Sequence, residues 1–209
     1  MLIVVNMKTS RPYEQTARRA ATAQTRAAIL DAGLALSREK LSVEIVLSDI
    51  AERANVSVQT VLRHFSSREG LFDALHAYGA ERVREQRRTP TGHLDDDMRV
   101  LVEHYEQWGD LSISLLAQEN TDPHARAVTT QGRALHRSWV EHLVSADLVN
   151  DVAVIDELVV VTDVYCWKLL RRDRGLSVES TYERMLSLAH GVLQHHRHTA
   201  SPTPRRDTP

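Results

Sequence analysis

The chain has 209 residues, 42% of them hydrophobic, with 26 Lys and Arg against 28 Asp and Glu and one cysteine. That is enough apolar material for a domain-sized core without disulfide staples, which the lone Cys166 could not supply. The apolar run in "MLIVVNMK" is too short for a signal peptide, and the richest later run, "VAVIDELVVVTDVYCW", is interrupted by Asp156, Glu157 and Asp163, so a soluble, cytoplasmic protein without a membrane partner is expected.

Charge is unevenly spread. Residues 1 to 88 carry 14 Lys and Arg against 10 Asp and Glu, and the remainder 12 against 18. Lys8, Arg11, Arg18, Arg19 and Arg26 face only Glu14 before residue 27. A polyanion suits that end, although a solvated arm explains the charges equally well. Residues 1 to 24 are therefore expected to form a flexible basic arm. From 25 to 38, Ala28, Ile29, Ala32 and Leu36 share one helical face, with Thr25 placed to cap. Strand-like alternation occurs only at "LSVEIVL", residues 41 to 47. Two short helical segments follow, at 47 to 54 and 57 to 65, then a longer one from 68 to 87.

The pattern stops at "RRTPTGHLDDD", where Pro90 and Gly92 break it and Asp95 to Asp97 favour a new helix start. A boundary near 90 separates a domain at 25–88 from a second at 93–198, with a disordered tail at 199–209. In the second domain Asp122 and Pro123 have the order of an N-cap and first helical residue. A long apolar helix is expected from 151 to 172, closed by Gly175, and another beginning at Ser177. Their apolar rows, Val152, Ile155, Leu158, Val159 and Thr162 in one and Tyr182, Met185, Ala189, Val192 and Leu193 in the other, are expected to meet a second copy.

The most informative stretch is "LSDIAERANVSVQTVLRHFSSREGLFDALHAYG", residues 47 to 79. Two helices joined by a tight turn need a small residue at their closest approach, which is Ala51, and a residue tolerant of positive φ, which is Asn55. Ile50, Ala54, Val56 and Val61 form an apolar seam, closed by Phe65 near Leu71 and Leu75. Val58, Gln59, Thr60, Arg63 and His64 remain on the outside of the second short helix, as a major-groove reader requires. The plainer alternative is a helical hairpin with a solvated face.

The stretch "DIAERANVSVQTVLRHFSSREGLFDAL", preceded by "TRAAILDAGLAL", resembles the helix-turn-helix of the tetracycline-repressor (TetR) family of bacterial transcription regulators. "TDVYCWKLLRRDRGLS" also looks, less specifically, like the end of a C-terminal domain found in that family. The resemblance implies an all-α protein: an N-terminal three-helix DNA-binding domain and a C-terminal helical domain for effector binding and dimerisation. Carried over, it implies that Ser57 caps the recognition helix and that Val58, Gln59 and Thr60 face base edges or phosphates, beside Arg63 on the outer face read above. His64 and Arg68 would reach phosphates, and Ser48 would add another contact from the preceding helix. Three residues depart from the family pattern. Leu62 stands where a phosphate-binding tyrosine is usual, Val46 replaces a capping Thr or Ser at a cost of roughly 1 kcal/mol, and Asn55 replaces the common turn glycine.

No HExxH spacing, phosphate loop or nucleophile elbow occurs, so no catalytic residue, metal or cofactor is expected. His195, His196 and His198 read as a solvated helix end, and Cys166 as a buried structural cysteine. Tyr105, Trp108, Trp139 and Tyr165 could line a cavity for an apolar or aromatic effector, or serve as core or dimer-interface residues. The expected function is a homodimeric, ligand-released repressor on a palindromic DNA operator. The alternatives are an effector-free regulator controlled by abundance or a protein partner, and a helical enzyme with a DNA-binding appendage.

Overall fold

The structure is a computed structural model that describes residues 10–41, 44–87, 90–144, 148 and 150–200. Among them the regular elements are helical: α1 (Ser10–Ser37), α2 (Leu47–Arg53), α3 (Val58–Phe65), α4 (Arg68–Gln86), α5 (Leu94–Gln118), α6 (Pro123–Leu143), α7 (Val152–Val161), α8 (Val164–Lys168), a π-helical turn (Leu169–Asp173) and α9 (Val178–Ala200). Leu47, the end of the strand-like stretch, is instead the first residue of α2.

The expected flexible arm is helical from Ser10 onward, and residues 1–9, with Lys8, lie outside the described residues. Ala and Arg dominate "ARRAATAQTRAA" and are among the best helix formers, so propensity outweighs the charge pattern there. Thr25 consequently sits inside α1, its Oγ1 donating to Ala21 O at 3.0 Å, and caps nothing. Residues 15–24 are exposed on every side. Burial begins at Ile29 and continues through Leu30, Ala32 and Leu36, while Ala28, expected on that face, is exposed.

The chain divides into two compact units, Met1–Gly79 and Ala80–Pro209. The division falls within α4, earlier than the break at Pro90, because Gln86 and Arg87 bond to side chains of α5 and α6.

In the first unit α2 packs on α1 and α3. Ile29, Ile50, Val61 and Leu71 are fully buried at its centre. Gly33 permits the approach of Leu75, whose Cδ2 would lie 2.6 Å from an added Cβ.

In the second unit α5 packs against α6, α8 and α9, and α7 against α6 and α9. Met98, Leu101, Leu158, Trp167 and Met185 form the deepest layer. Asp122 caps α6, accepting from His124 N at 2.9 Å, and Pro123 is its first residue. Ser177 caps α9 by accepting from Ser180 N at 3.1 Å. Gly175 has φ +67 just after the π-helical turn, the left-handed conformation glycine tolerates best.

The single helix expected from 151 to 172 is divided. Thr162 ends α7, its hydroxyl donating back to Leu158 O at 2.6 Å, and Asp163 starts α8 by accepting from Tyr165 N at 2.8 Å. The rows expected to meet a second copy fill this unit's own core. Ile155, Leu158, Thr162, Tyr182, Met185, Ala189 and Leu193 are buried, Val159 and Val192 half-buried, and Val152 alone is largely exposed. At its far end α9 continues to Ala200, and His196 meets Glu157 at 3.1 Å and Asp151 at 3.6 Å rather than lying in a frayed terminus. Cys166 is half-buried, and burial pushes its thiol pKa up.

Candidate functional site

The α2–α3 turn is built by backbone hydrogen bonds at the end of α2. Asn55 N–H donates to Glu52 O at 3.0 Å and Val56 N–H to Ala51 O at 2.9 Å, the paired bonds of a Schellman closure. That closure needs a left-handed residue after the cap, and Asn55 supplies it with φ 53, as its position in the sequence predicts. Ala51 is buried under the turn.

Ser57 then opens α3, its Oγ accepting from Thr60 N at 3.1 Å. The Thr60 hydroxyl also meets Ser57 Oγ, at 2.9 Å. At the start of α2 no side chain caps from Val46, as its apolar character requires. At the far end of α3, Ser66 has φ 66 and Ser67 N–H donates to Phe65 O across it at 2.8 Å, a positive-φ γ-turn. Ser67 Oγ accepts from Gly70 N at 3.0 Å and starts α4. A Cβ on Gly70 would stand 2.3 Å from Phe65 O, so glycine is required there.

Both ends of α3 are thereby fixed. Val61 and Phe65 point into the core, while Val58, Gln59, Leu62 and Arg63 are exposed and Thr60 and His64 half-buried. Leu62 does not pack away as its type suggests; with Val58 it forms an exposed apolar pair one turn apart. Ser48 is exposed on α2. Arg68 is half-buried, its guanidinium 4.4 Å from the Phe72 ring centre and its Nη2 donating to Ile45 O at 3.5 Å. Arg53 is engaged bidentately by Glu39, and that bond lowers the Glu39 pKa. Lys40 pairs with Asp49 at 2.8 Å.

The four aromatics expected to line an effector cavity divide into one exposed and three buried side chains. Tyr165 is exposed on α8. Tyr105, Trp108 and Trp139 are buried, each in contact with polar groups. Tyr105 Oη donates to Thr162 O at 2.9 Å, Trp108 Nε1 to Gln86 Oε1 at 2.9 Å, and Trp139 stacks on the His136 ring at 6.0 Å between centres. Arg87, His104, His136 and Thr162 are buried beside them. Arg87 Nη2 lies 3.0 Å from His136 Nδ1, and its guanidinium sits 5.1 Å from the Trp139 ring centre. Burial, aided by the Arg87 charge, holds the pKa of both His104 and His136 down to about 3. Burial also lowers that of Arg87.

Sequence reasoning gave no role to His104 or His136. The signal it passed over was a polar residue inside an apolar stripe: His104 between Leu101 and Trp108, and His136 one turn before Trp139 and Val140. Among the described residues no group of three or more His, Cys, Asp or Glu could hold a metal ion.

Residues 29–75, from the buried half of α1 to Leu75 of α4, match the family model for bacterial regulatory proteins of the tetR family. A search of curated proteins returned no match. Solved structures with a similar fold include a transcriptional regulator from Rhodococcus sp. Rha1, with a TM-score of 0.61 and 13% identity, covering 83% of this chain and 96% of that one. A TetR transcriptional regulator from Streptococcus agalactiae 2603V has a TM-score of 0.54 and 22% identity over 84% of this chain and 98% of its own. The multidrug binding protein EbrR, complexed with imidazole, has a TM-score of 0.50 and 18% identity over 90% and 97%. The matched segment coincides with the rigidly capped, outward-facing α3, so residues 29–75 carry a DNA-binding domain of the tetR type, and the similar solved structures share the fold of the chain.

Proposed function

We propose that this regulator is a homodimeric repressor that binds a palindromic operator and releases it when a small molecule enters the C-terminal unit. The observation that carries the DNA-binding half is α3 itself, capped at Ser57 and closed by γ-turn at Ser66, with Gln59 and Arg63 exposed on its outer surface. In this reading Gln59 and Arg63 meet base edges, and Val58 with Leu62 offers apolar contact to thymine methyl groups. Ser48, Thr60, His64 and Arg68 meet phosphates. Leu62 has no donor for the phosphate contact that a tyrosine would make, so Arg68 and the helix ends carry more of that role.

Dimerisation is supported by where the second unit leaves apolar surface. Its exposed large hydrophobic side chains, Val152, Val160, Tyr165, Leu169, Val178 and Leu188, all fall between residues 152 and 188, and α5 and α6 contribute none among the described residues. Covering such side chains with a second copy would place two copies of α3 on matching half-sites.

Sequencing the genomic fragments retained by the purified protein tests the proposal. An inverted repeat is the expected result. Fragments without a shared motif would contradict sequence-specific binding, and a single unrepeated half-site would contradict the dimer.

A further inference from the structure

We propose that Arg87 anchors an anionic effector, a small organic carboxylate with an apolar or aromatic body, in the C-terminal unit. This rests on the reading of the chain as a ligand-released regulator and specifies the chemistry of the molecule that releases it.

Arg87 is only 6% exposed, yet among the described residues no carboxylate pairs with it. Its contacts are the ring nitrogen of His136 and the face of Trp139. Its Nε is buried with no hydrogen-bond partner, the one such side-chain atom found among the described residues. Neighbouring acceptors are already committed: Gln86 Oε1 takes Trp108 Nε1 at 2.9 Å and His104 Nδ1 lies 3.3 Å from it, while the Thr162 hydroxyl oxygen lies 3.1 Å from His136 Nε2.

A buried guanidinium without a counter-charge is costly, and removing a partner from such a group is far more destabilising than never burying it. The guanidinium presents a planar fork of donors that matches a carboxylate bidentately. What the site lacks is therefore an acceptor carrying negative charge. The face of Trp139, 5.1 Å from the guanidinium, favours an apolar or aromatic body attached to it. Arg87 directly follows Gln86, the last residue of α4, so a ligand held there acts on the end of the helix that opens at Arg68.

The test titrates the full chain with benzoate, phenylacetate and hexanoate, with their uncharged amides, and with chloride alone, reading melting temperature and tryptophan emission. At least one carboxylate should raise the melting temperature and change the emission, and its amide should bind roughly tenfold or more weakly. Arg87→Met should abolish the carboxylate response; should that variant fail to fold, Arg87→Lys, which keeps the charge and loses the fork, should weaken it. Amides equal to acids, a carboxylate response that survives loss of the guanidinium, a response to chloride alone, or no response to any acid would each overturn the proposal. Operator binding is measured in the same samples. A carboxylate that binds through Arg87 and leaves the operator bound would uphold the anion site and defeat ligand release instead.

Discussion

Arg87 Nη2 donates to His136 Nδ1 at 3.0 Å, and because an arginine can only donate, this bond fixes the imidazole as the neutral form with its proton on Nε2. That Nε2 lies 3.1 Å from Thr162 Oγ1, whose own proton goes to Leu158 O. The chain of bonds thus ties the end of α4, the middle of α6 and the break between α7 and α8 into one network. It also explains why α7 stops where a purely apolar pattern would continue.

Acid should destabilise the C-terminal unit before it affects most carboxylates. His104 and His136 have pKa values of about 3 in the fold against 6.5 for an ordinary histidine, so the unfolded chain binds protons that the fold refuses. Stability is fully present above about pH 6.5 and falls as pH drops toward 3, by roughly 1–2 kcal/mol per pH unit for each histidine. The groups facing them are Arg87, Tyr105 and each other, none of which supplies a compensating negative charge near neutrality. Urea denaturation at pH 7, 6 and 5 checks this, and His136→Gln should flatten the slope.

The α3–α4 turn predicts opposite effects at neighbouring positions. Gly70→Ala sets a Cβ against the carbonyl of Phe65 and should destabilise by about 2 kcal/mol or more. Ser66→Gly relieves a positive φ and should stabilise by about 1 kcal/mol. Thermal unfolding of both variants is the check. Stabilisation by Ala at 70 would contradict the turn described here.

Gly109→Ala should loosen the packing of α5 on α8. An added Cβ would lie 2.4 Å from the Trp167 ring, which is fully buried, so the indole must move; a loss of about 1–3 kcal/mol is expected. Trp167 also donates to Glu106 Oε1 at 2.9 Å, and a red-shifted tryptophan emission should accompany the loss of stability.

Leu188→Glu tests the proposed dimer face. Leu188 is 46% exposed on α9, so a charge there costs the isolated subunit little, while across an apolar interface it is strongly unfavourable. Sedimentation should show a dimer for the parent chain and a monomer for the variant, with melting of the monomer nearly unchanged. A dimer in both would move the interface elsewhere.

The α2–turn–α3 geometry was almost wholly legible in the sequence because its determinants are local. Asn55 two residues before Ser57 specifies a left-handed closure followed by an N-cap, whatever surrounds it. The helical state of residues 10–24 was legible too, through propensity, but charge was read first. The fate of the C-terminal apolar rows was not legible. Periodicity says that Ile155, Leu158, Met185 and Ala189 face something apolar, and cannot say whether that is the same chain or another. The buried polar network escaped for a similar reason: Arg87, His104, His136 and Thr162 are far apart in sequence, and only packing brings them together.

Fluorescence anisotropy of the selected operator against a random duplex across a salt series tests most directly the proposed role of α3 as the sequence reader. The parent chain should prefer the operator, with both affinities falling steeply as salt rises. Gln59→Ala should narrow the preference at one base position, by about 1–3 kcal/mol, whereas Arg68→Gln should weaken both duplexes alike and reduce the salt slope by about one. Equal loss on both duplexes from Gln59→Ala, or an operator preference that survives Gln59→Ala combined with Arg63→Ala, would contradict it.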